Sequence, residues 1–526
     1  MPQRPRRERR RRAAIAFIAL FLAAGGAIGP GDTARAAGRT DVIIAQGLPN
    51  SFDPALQSDI ASAGFTAQLY EPLTAFDLQL ILRPALAASW DISDSGRQIV
   101  FHLRPGLTFS DGTPITGADV VGSWLRIIDP NRPSQLATLL LDVHGAADYL
   151  AGRITDSRDV GLRADGLDVT VDLDRPGADF PSIVASPTFA IVPAQVWRDH
   201  ADMDTGNVPS SGAYVVSTTG DTEIVLQANS HYWAGTPAVK TIHLLSDIGG
   251  RSPVAAFEAG DVDYTGIGPA DAAWIRYDKN LGPLLRDVPA LALIYLGFTT
   301  DRPPFDDVRV RQAFGAAVDW TRITTLASLG DEVPATSMVP PGIAGGGDKA
   351  WLPTHDPARA RQLLADAGFP NGSGFPSVTF AAGGISQAEG IAEDLRRELG
   401  VNVRIEELGD QFGRLQSDPP GMWTLGWVAD YPGPNDFLGV LLGTGSSNNY
   451  GRWSSAAFDA AINDALGTRA PAAAGAAFEK ALAIVRDEVP VVPLSYSDGW
   501  ALSRAGLLGA DQNGLGIMRM AGLAWR

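Results

Sequence analysis

The sequence predicts an α/β protein built as two or three lobes. Three observations point there. Its 526 residues exceed what one hydrophobic core accommodates, since cores stop growing at about 250–300 residues. Strand and helix patterns alternate from end to end instead of segregating. And residues 378–406 read strand, helix, strand, the unit that builds a parallel sheet.

The chain opens on an arginine-dominated run, Arg4 to Arg12, followed by an apolar stretch from Ala13 to Ala27. A Gly29-Pro30-Gly31 break and a small-residue site, Ala34-Arg35-Ala36, come next. That order is a secretory leader cut after Ala36. Its apolar part falls short of the ~20 residues a spanning helix needs. Arg11-Arg12 matches a twin-arginine signal poorly. The leader, residues 1–36, carries eight Arg and two acids, or +6; taking +6 from the whole-chain −17 leaves −23. A chain so acidic is a poor partner for nucleic acid or anionic lipid. It contains no Cys, which excludes disulfides, thiolate metal sites, a cysteine nucleophile and a lipid-modified cysteine behind the leader. The expectation is a periplasmic protein, exported and not lipid-anchored.

After the leader, Val42 to Ala45 reads as a strand, and Ile99 to Leu103 and Leu167 to Leu173 alternate as strands do. Asp119 to Ile128 has helical apolar spacing and stops at Asp129-Pro130-Asn131. Tyr214 to Thr218 and Glu223 to Gln227 form a hairpin around Gly220-Asp221. Asp356-Pro357 opens a helix with an Asp cap and a first-position Pro, and that helix ends at Gly368. A strand at Val378 to Ala381, a helix at Ala388 to Leu399 stopped by Gly400, and a strand at Val401 to Glu406 complete the βαβ unit. The alanine-rich segment Ala470 to Ala477 reads as a helix start.

Enzyme chemistry finds little support. The six His share no metal-ligand spacing, and there is no H-E-x-x-H, G-x-S-x-G, S-x-x-K or P-loop. Gly266-Ile267-Gly268 lacks the third glycine of a dinucleotide loop. Asp261 and Asp263 are a carboxylate pair that a glycosidase could use, but just after Gly260 they read as a turn entering a strand. No cofactor is implied.

One block stands out: Leu86-Ala87-Ala88-Ser89-Trp90, Phe101-His102-Leu103-Arg104-Pro105-Gly106, Phe109-Ser110-Asp111-Gly112-Thr113-Pro114 and Ala118-Asp119-Val120. Further blocks follow: Ser211 to Tyr214, Tyr232-Trp233, Phe257 to Asp263, Pro303 to Phe305 with Val308 to Ala313, Leu363-Leu364 with Ala367-Gly368, and Trp427 to Pro434. Together they resemble the family 5 extracellular solute-binding proteins, the oligopeptide- and dipeptide-binding components of ABC transporters. The resemblance covers nearly the whole chain after the leader. It implies a clamshell of two α/β lobes, with an additional third domain on the first lobe. The first lobe is then expected at 37–75, 185–285 and 488–526, the extra domain at 76–184 and the second lobe at 286–487.

The resemblance also implies the site. Asp430, at the end of the apolar strand Leu425 to Val428, matches the carboxylate that pairs with a peptide's terminal ammonium; read alone it is a turn or cap residue. A buried ligand ammonium needs such a counter-charge. Backbone groups of Ile60, Gly426 and Val428 match the positions that grip a peptide as an added strand. Trp427 matches a pocket wall, and Asn449 a pocket amide. Trp423 and Trp453 are expected near the cleft as well. Arg302 and Arg414 match or neighbour cations that meet the far carboxylate. Two departures stand out: Thr424 replaces a basic residue, and Leu136 replaces a tyrosine near the ligand. The function implied is capture of peptides, by a monomer without enzymatic activity, for an ABC permease. The alternatives are the same fold holding an oligosaccharide, an opine or a metal chelate, and a periplasmic hydrolase.

Overall fold

In the computed structural model, which describes residues 38–57, 59–288, 290–327, 332–343 and 349–526, the chain begins with strand β1 (Asp41–Ala45). Val42 and Ile44 of β1 are buried while their neighbours are half-covered, the period-2 pattern of a strand against a core. The expected leader, 1–36, lies outside the described residues. Helix α1 (Ile60–Leu69) follows, started by Asp59, whose carboxylate accepts from the Ser62 amide.

The chain next builds a small domain from β2 (Ala87–Ile92), β3 (Gln98–Leu103), α2 (Gly117–Ile127), β4 (Leu162–Asp165) and β5 (Asp168–Asp172). Its sheet runs β2-β3-β5-β4. The Asp119 carboxylate accepts from the Thr116 amide and fixes the start of α2. Trp124 of α2 packs edge-to-face on Phe101, Phe180 and Phe189, the arrangement ring quadrupoles favour.

The first lobe resumes with β6 (Tyr214–Thr219), β7 (Glu223–Ala228), β8 (Thr241–Leu245), β9 (Tyr264–Ile267) and β10 (Leu285–Val288). The second lobe holds β11 (Ala292–Phe298), β12 (Val333–Pro334), α3 (Pro357–Asp366), β13 (Val378–Ala381), α4 (Ala388–Leu399), β14 (Val403–Glu406), α5 (Gln411–Ser417), β15 (Met422–Val428), α6 (Pro471–Glu488) and β16 (Val491–Tyr496). Strand β17 (Gly499–Ser503) then returns to the first lobe. Among the described residues the first sheet runs β10-β17-β9-β1-β8-β7-β6 and the second β12-β16-β11-β15-β13-β14. β13 and β14 pair in parallel, as the βαβ reading requires. Gly400 closes α4 with φ +70°, and a Cβ there would lie 2.5 Å from the Asn371 carbonyl, so both conformation and space demand glycine.

One expected limit is corrected. Residues from 488 onward were expected in the first lobe, yet β16 pairs antiparallel with β11 inside the second sheet. The return lies between Tyr496 and Gly499. The apolar run from Val491 announces a strand but does not say which sheet it joins. The outward crossing lies between Val288 and Ala292. The two crossings run side by side, because Val288 pairs with Gly499 at one end and Leu293 with Tyr496 at the other. The protein is thus two α/β lobes joined by a pair of neighbouring segments, with the four-stranded domain carried on the first. One apolar cluster runs from that domain (Phe101, Trp124) into the second lobe (Tyr295, Trp423, Phe437).

Candidate functional site

A cavity of about 340 Å³ lies between the lobes. The first lobe gives it the start of α1 (Asp59, Ile60, Ala63) with Gln57, Pro187, Leu515 and Ile517, and the small domain gives Gln135 and Leu136. The second lobe gives Phe412, residues 426–430, Asn448 and Tyr450. Ile60 and Phe412 are each about half exposed, at 50% and 46%, and stand at the mouth.

The wall formed by β15 is an open strand edge. β13 covers one flank of β15 only as far as Trp423, through the pairs Phe380–Met422 and Ala381–Trp423. On the other flank β11 continues to Val428. The Ala429 amide donates to Leu291 on that β11 side, at 2.9 Å. Backbone groups alternate in direction along a strand, so those of Val428 and Gly426 face the open flank and the cavity. Thr424 ends the open stretch: its carbonyl accepts from Gln411 Nε2, and its hydroxyl donates to the Ala382 carbonyl. Gly426 has nothing within 4 Å of where a Cβ would stand, so the face of the strand is open there as well.

Asp430 closes this edge. Burial pushes its carboxyl up to about 7, and no neighbouring cation counters that desolvation. Behind it lies Asp436, 0% exposed, whose Oδ2 accepts from Trp427 Nε1 at 2.9 Å and from the Asp430 amide at 3.2 Å. Asp436 Oδ1 has no hydrogen-bond partner. Burial, then repulsion from Asp430, drives the Asp436 carboxyl well above the usual carboxylate range. Trp427 is therefore held by its indole N–H while its ring lines the cavity. The arrangement offers a strand edge, an aromatic wall and a carboxylate lacking a cation within the protein.

The structure brings Ile60, Gly426, Trp427, Val428 and Asp430 together around this cavity, and Leu136 with them. It does not bring Arg302, Arg414 or Asn449 there. Arg302 pairs with Asp418 at 2.7 Å and also donates to the Pro419 carbonyl. Arg414 pairs with the same Asp418 at 2.8 Å, one helical turn along the chain. The Arg302 hydrogen bond and the charge of both arginines hold the Asp418 carboxyl low. Asn449 spends its amide on the carbonyls of Leu442, Gly443 and Trp453, and its own carbonyl on the Trp453 amide. Its neighbour Asn448 is the one that lines the cavity. Trp423 is buried edge-to-face against Tyr295 and Tyr450, and Trp453 donates to Glu488; neither lines the cavity. Phe412, Tyr450, Asn448 and the buried Asp436 were not read from the sequence.

The carboxylate pair weighed for catalysis is structural. Asp263 pairs with Arg39 at 2.8 Å and accepts from the Ile43 amide, and Asp261 pairs with Arg251. His102, His144 and His243 each contact surface carboxylates. Among the described residues no three His, Cys, Asp or Glu gather as a metal site, and no helix is long and apolar enough to cross a membrane.

Comparison with known proteins places these features. Residues 82–449 match the model of the bacterial extracellular solute-binding proteins, family 5 middle region. The chain is 29% identical over 466 residues to the probable deoxycholate-binding periplasmic protein YgiS of Escherichia coli, covering 85% of this chain and 86% of that protein. It is also 29% identical to the periplasmic oligopeptide-binding protein OppA of Salmonella typhimurium, over 85% of each. The heme-binding protein A of Haemophilus influenzae is 29% identical, over 86% of each. Among solved structures, the Escherichia coli murein tripeptide binding protein MppA superposes with TM-score 0.83 at 24% identity, covering 93% of this chain and 99% of that one. The unliganded open form of MppA superposes with TM-score 0.69.

Proposed function

The chain belongs to family 5 of the bacterial extracellular solute-binding proteins, and from that premise we propose that it captures short peptides in the periplasm for the permease of an ABC importer. It binds without turning its ligand over and acts as a monomer. The leader at 1–36 exports it, and the absence of cysteine leaves it without a lipid anchor. The lobe limits that accompany this reading are those expected from the sequence, with the last return moved to residues 497–498.

The observation that carries the peptide reading is the pairing of an open strand edge with Asp430 at its end. A peptide adding to that edge would take main-chain bonds from Gly426 and Val428. Its terminal ammonium would then meet the Asp430 carboxylate, which has no cation beside it in the protein. A neutral sugar would leave that charge buried and uncompensated. Relatives named for deoxycholate and for heme handle carboxylate-bearing ligands, which an acid-lined cavity disfavours.

Calorimetry with one short apolar peptide, free and N-acetylated, tests this. The expected outcome is a loss of a hundredfold or more on acetylation, because a buried carboxylate left without its partner costs about 3–5 kcal/mol. Equal binding of the two peptides would remove the ammonium role and favour a non-peptide solute. Hydrolysis of the peptide by the purified protein would support an enzyme instead.

A further inference from the structure

The charge lining the cavity is of one sign only. Asp59 and Asp430 line it, and no Lys, Arg or His stands among its lining residues. The undescribed stretches after residue 37, namely 58, 289, 328–331 and 344–348, contain no basic residue either. The two arginines expected to meet a carboxylate are both spent on Asp418. Positive potential also reaches the wall from the N-terminus of α1. Asp59 already occupies it: its carboxylate takes the Ser62 amide at 2.9 Å, the Ser62 hydroxyl at 2.7 Å and the Asn50 side-chain amide at 3.1 Å. That carboxylate offsets the helix dipole where the helix meets the cavity.

Beside the neutral polar groups of Gln57, Gln135, Asn448 and Tyr450, much of the remaining wall is apolar, including Ile60, Phe412, Trp427 and Leu515. A cavity of about 340 Å³ stands at the small end of ligand pockets, a scale suited to a di- or tripeptide. Within such a ligand the two ends cannot be far apart. Two extended residues span roughly 7 Å, less than the ~8 Å over which salt screens a charge. A terminal carboxylate inside the cavity would therefore feel Asp430 and Asp59 and meet no cation.

We propose that this chain selects ligands entering the cavity as cations, a free amine on a compact apolar body, and discriminates against short peptides that carry a free carboxylate into it. This rests on the peptide reading above and narrows it. Peptides whose carboxyl is blocked, or whose chain continues out past Ile60 and Phe412, are accepted; free dipeptides are disfavoured.

The probes are three pools holding every dipeptide of Ala, Val, Leu, Ile and Phe, differing only at their ends. One has a free amine and a C-terminal amide, one a free amine and a free acid, one an acetylated amine and an amide. Each is titrated into the protein at pH 7.5, the bound fraction being read by native mass spectrometry. The amide pool should bind tenfold or more tightly than the acid pool. Phe412→Lys, at a half-exposed mouth position, should supply the missing cation and cut that ratio or reverse it. An acid pool that binds the wild type as tightly as the amide pool overturns the proposal and leaves the peptide reading standing. So does a ratio that Phe412→Lys does not move. An acetylated pool that binds as tightly as the amine pool instead overturns the ammonium role on which the proposal rests. Failure of all three pools to bind overturns both.

Discussion

Two buried carboxylate sites, one in each lobe, are treated in opposite ways. In the first, Glu71 is 2% exposed and fully answered. Arg519 donates to one oxygen at 2.9 Å and the Tyr232 hydroxyl to the other at 3.3 Å, so the last segment of the chain is tied to the first. In the second, Asp430 and Asp436 share one small region, and neither meets a cation. Asp436 keeps one oxygen without any partner, and Asp430 is raised by desolvation alone. A paired buried acid is a stability element. An unpaired one beside a cavity is a standing cost to the unliganded protein, and it becomes intelligible when the missing charge arrives with the ligand.

The sharpest way to break this comparison is to neutralise one acid in each lobe. Asp430→Asn should lower affinity for a free-amine peptide a hundredfold or more, with the melting temperature unchanged or raised. Glu71→Gln should do the reverse. It leaves Arg519 buried without its partner, at a cost of about 3–5 kcal/mol in stability, and leaves the affinity of the folded fraction as it was. Thermal unfolding and calorimetry on the two variants separate the roles. Loss of stability in Asp430→Asn with affinity retained would make Asp430 a turn residue.

How much of this was legible in sequence depends on how locally each feature is determined. The βαβ unit was readable because its signals are adjacent: an alternating strand, a helix, and Gly400 at the one place that needs a positive φ. Asp430 and the backbone of Gly426 and Val428 were readable through the family blocks, which fix a strand end. The failures are of register and of long-range pairing. Asn449 was expected where Asn448 stands, one residue away and facing oppositely. Arg414 was expected from a helix whose Phe412 lines the cavity; two positions along a helix of 3.6 residues per turn lie on nearly opposite faces. Asp436 gave no local signal, because only the turn through Pro432 and Pro434 brings it back beneath Trp427. β16 was placed in the wrong lobe because its partner β11 lies far upstream.

The same contrast predicts a smaller, graded effect of pH. The folded carboxyl of Asp430 titrates at about 7, above the ~3.9 of an unfolded Asp. Between those values the native protein holds the extra proton, so the Asp430 contribution stabilises the unliganded fold as pH falls from about 7 towards 4. Ligand binding runs the other way, since the ammonium meets the ionised form. Affinity for a free-amine peptide should fall about tenfold per pH unit below 7, with release of one proton. It should fall again above ~8 as the peptide amine loses its own proton. Asp430→Asn should lose the acid limb and keep the alkaline one. An affinity flat from pH 5 to 7 in the wild type would contradict the unpaired state of Asp430.

The smallest effect concerns how the halves are held together rather than what lies between them. The small domain meets the second lobe through polar contacts at several points. Ser447 Oγ and Asn448 Nδ2 donate to the Gln135 carbonyl at 2.7 and 3.2 Å, Arg175 donates to Asn463, and Arg469 donates to the Asp94 carbonyl at 2.7 Å. Asn448 also lines the cavity, so its replacement would confuse closure with ligand contact. Arg469 does not line it, and its hydrogen bond crosses between the two bodies. Removing one such exposed contact costs about 1 kcal/mol, and that cost falls only on the arrangement in which the bodies touch. Arg469→Ala should therefore weaken every ligand by the same few-fold factor, through faster release, while leaving the ranking of amide, acid and acetylated pools untouched. Small-angle scattering should give the unliganded variant a larger radius of gyration than the unliganded wild type, and saturating ligand should bring the two together. A variant that changes the ranking would mean that Arg469 acts on the ligand. A variant with wild-type affinity and radius would mean that the small domain rides on the first lobe without helping to close the cavity.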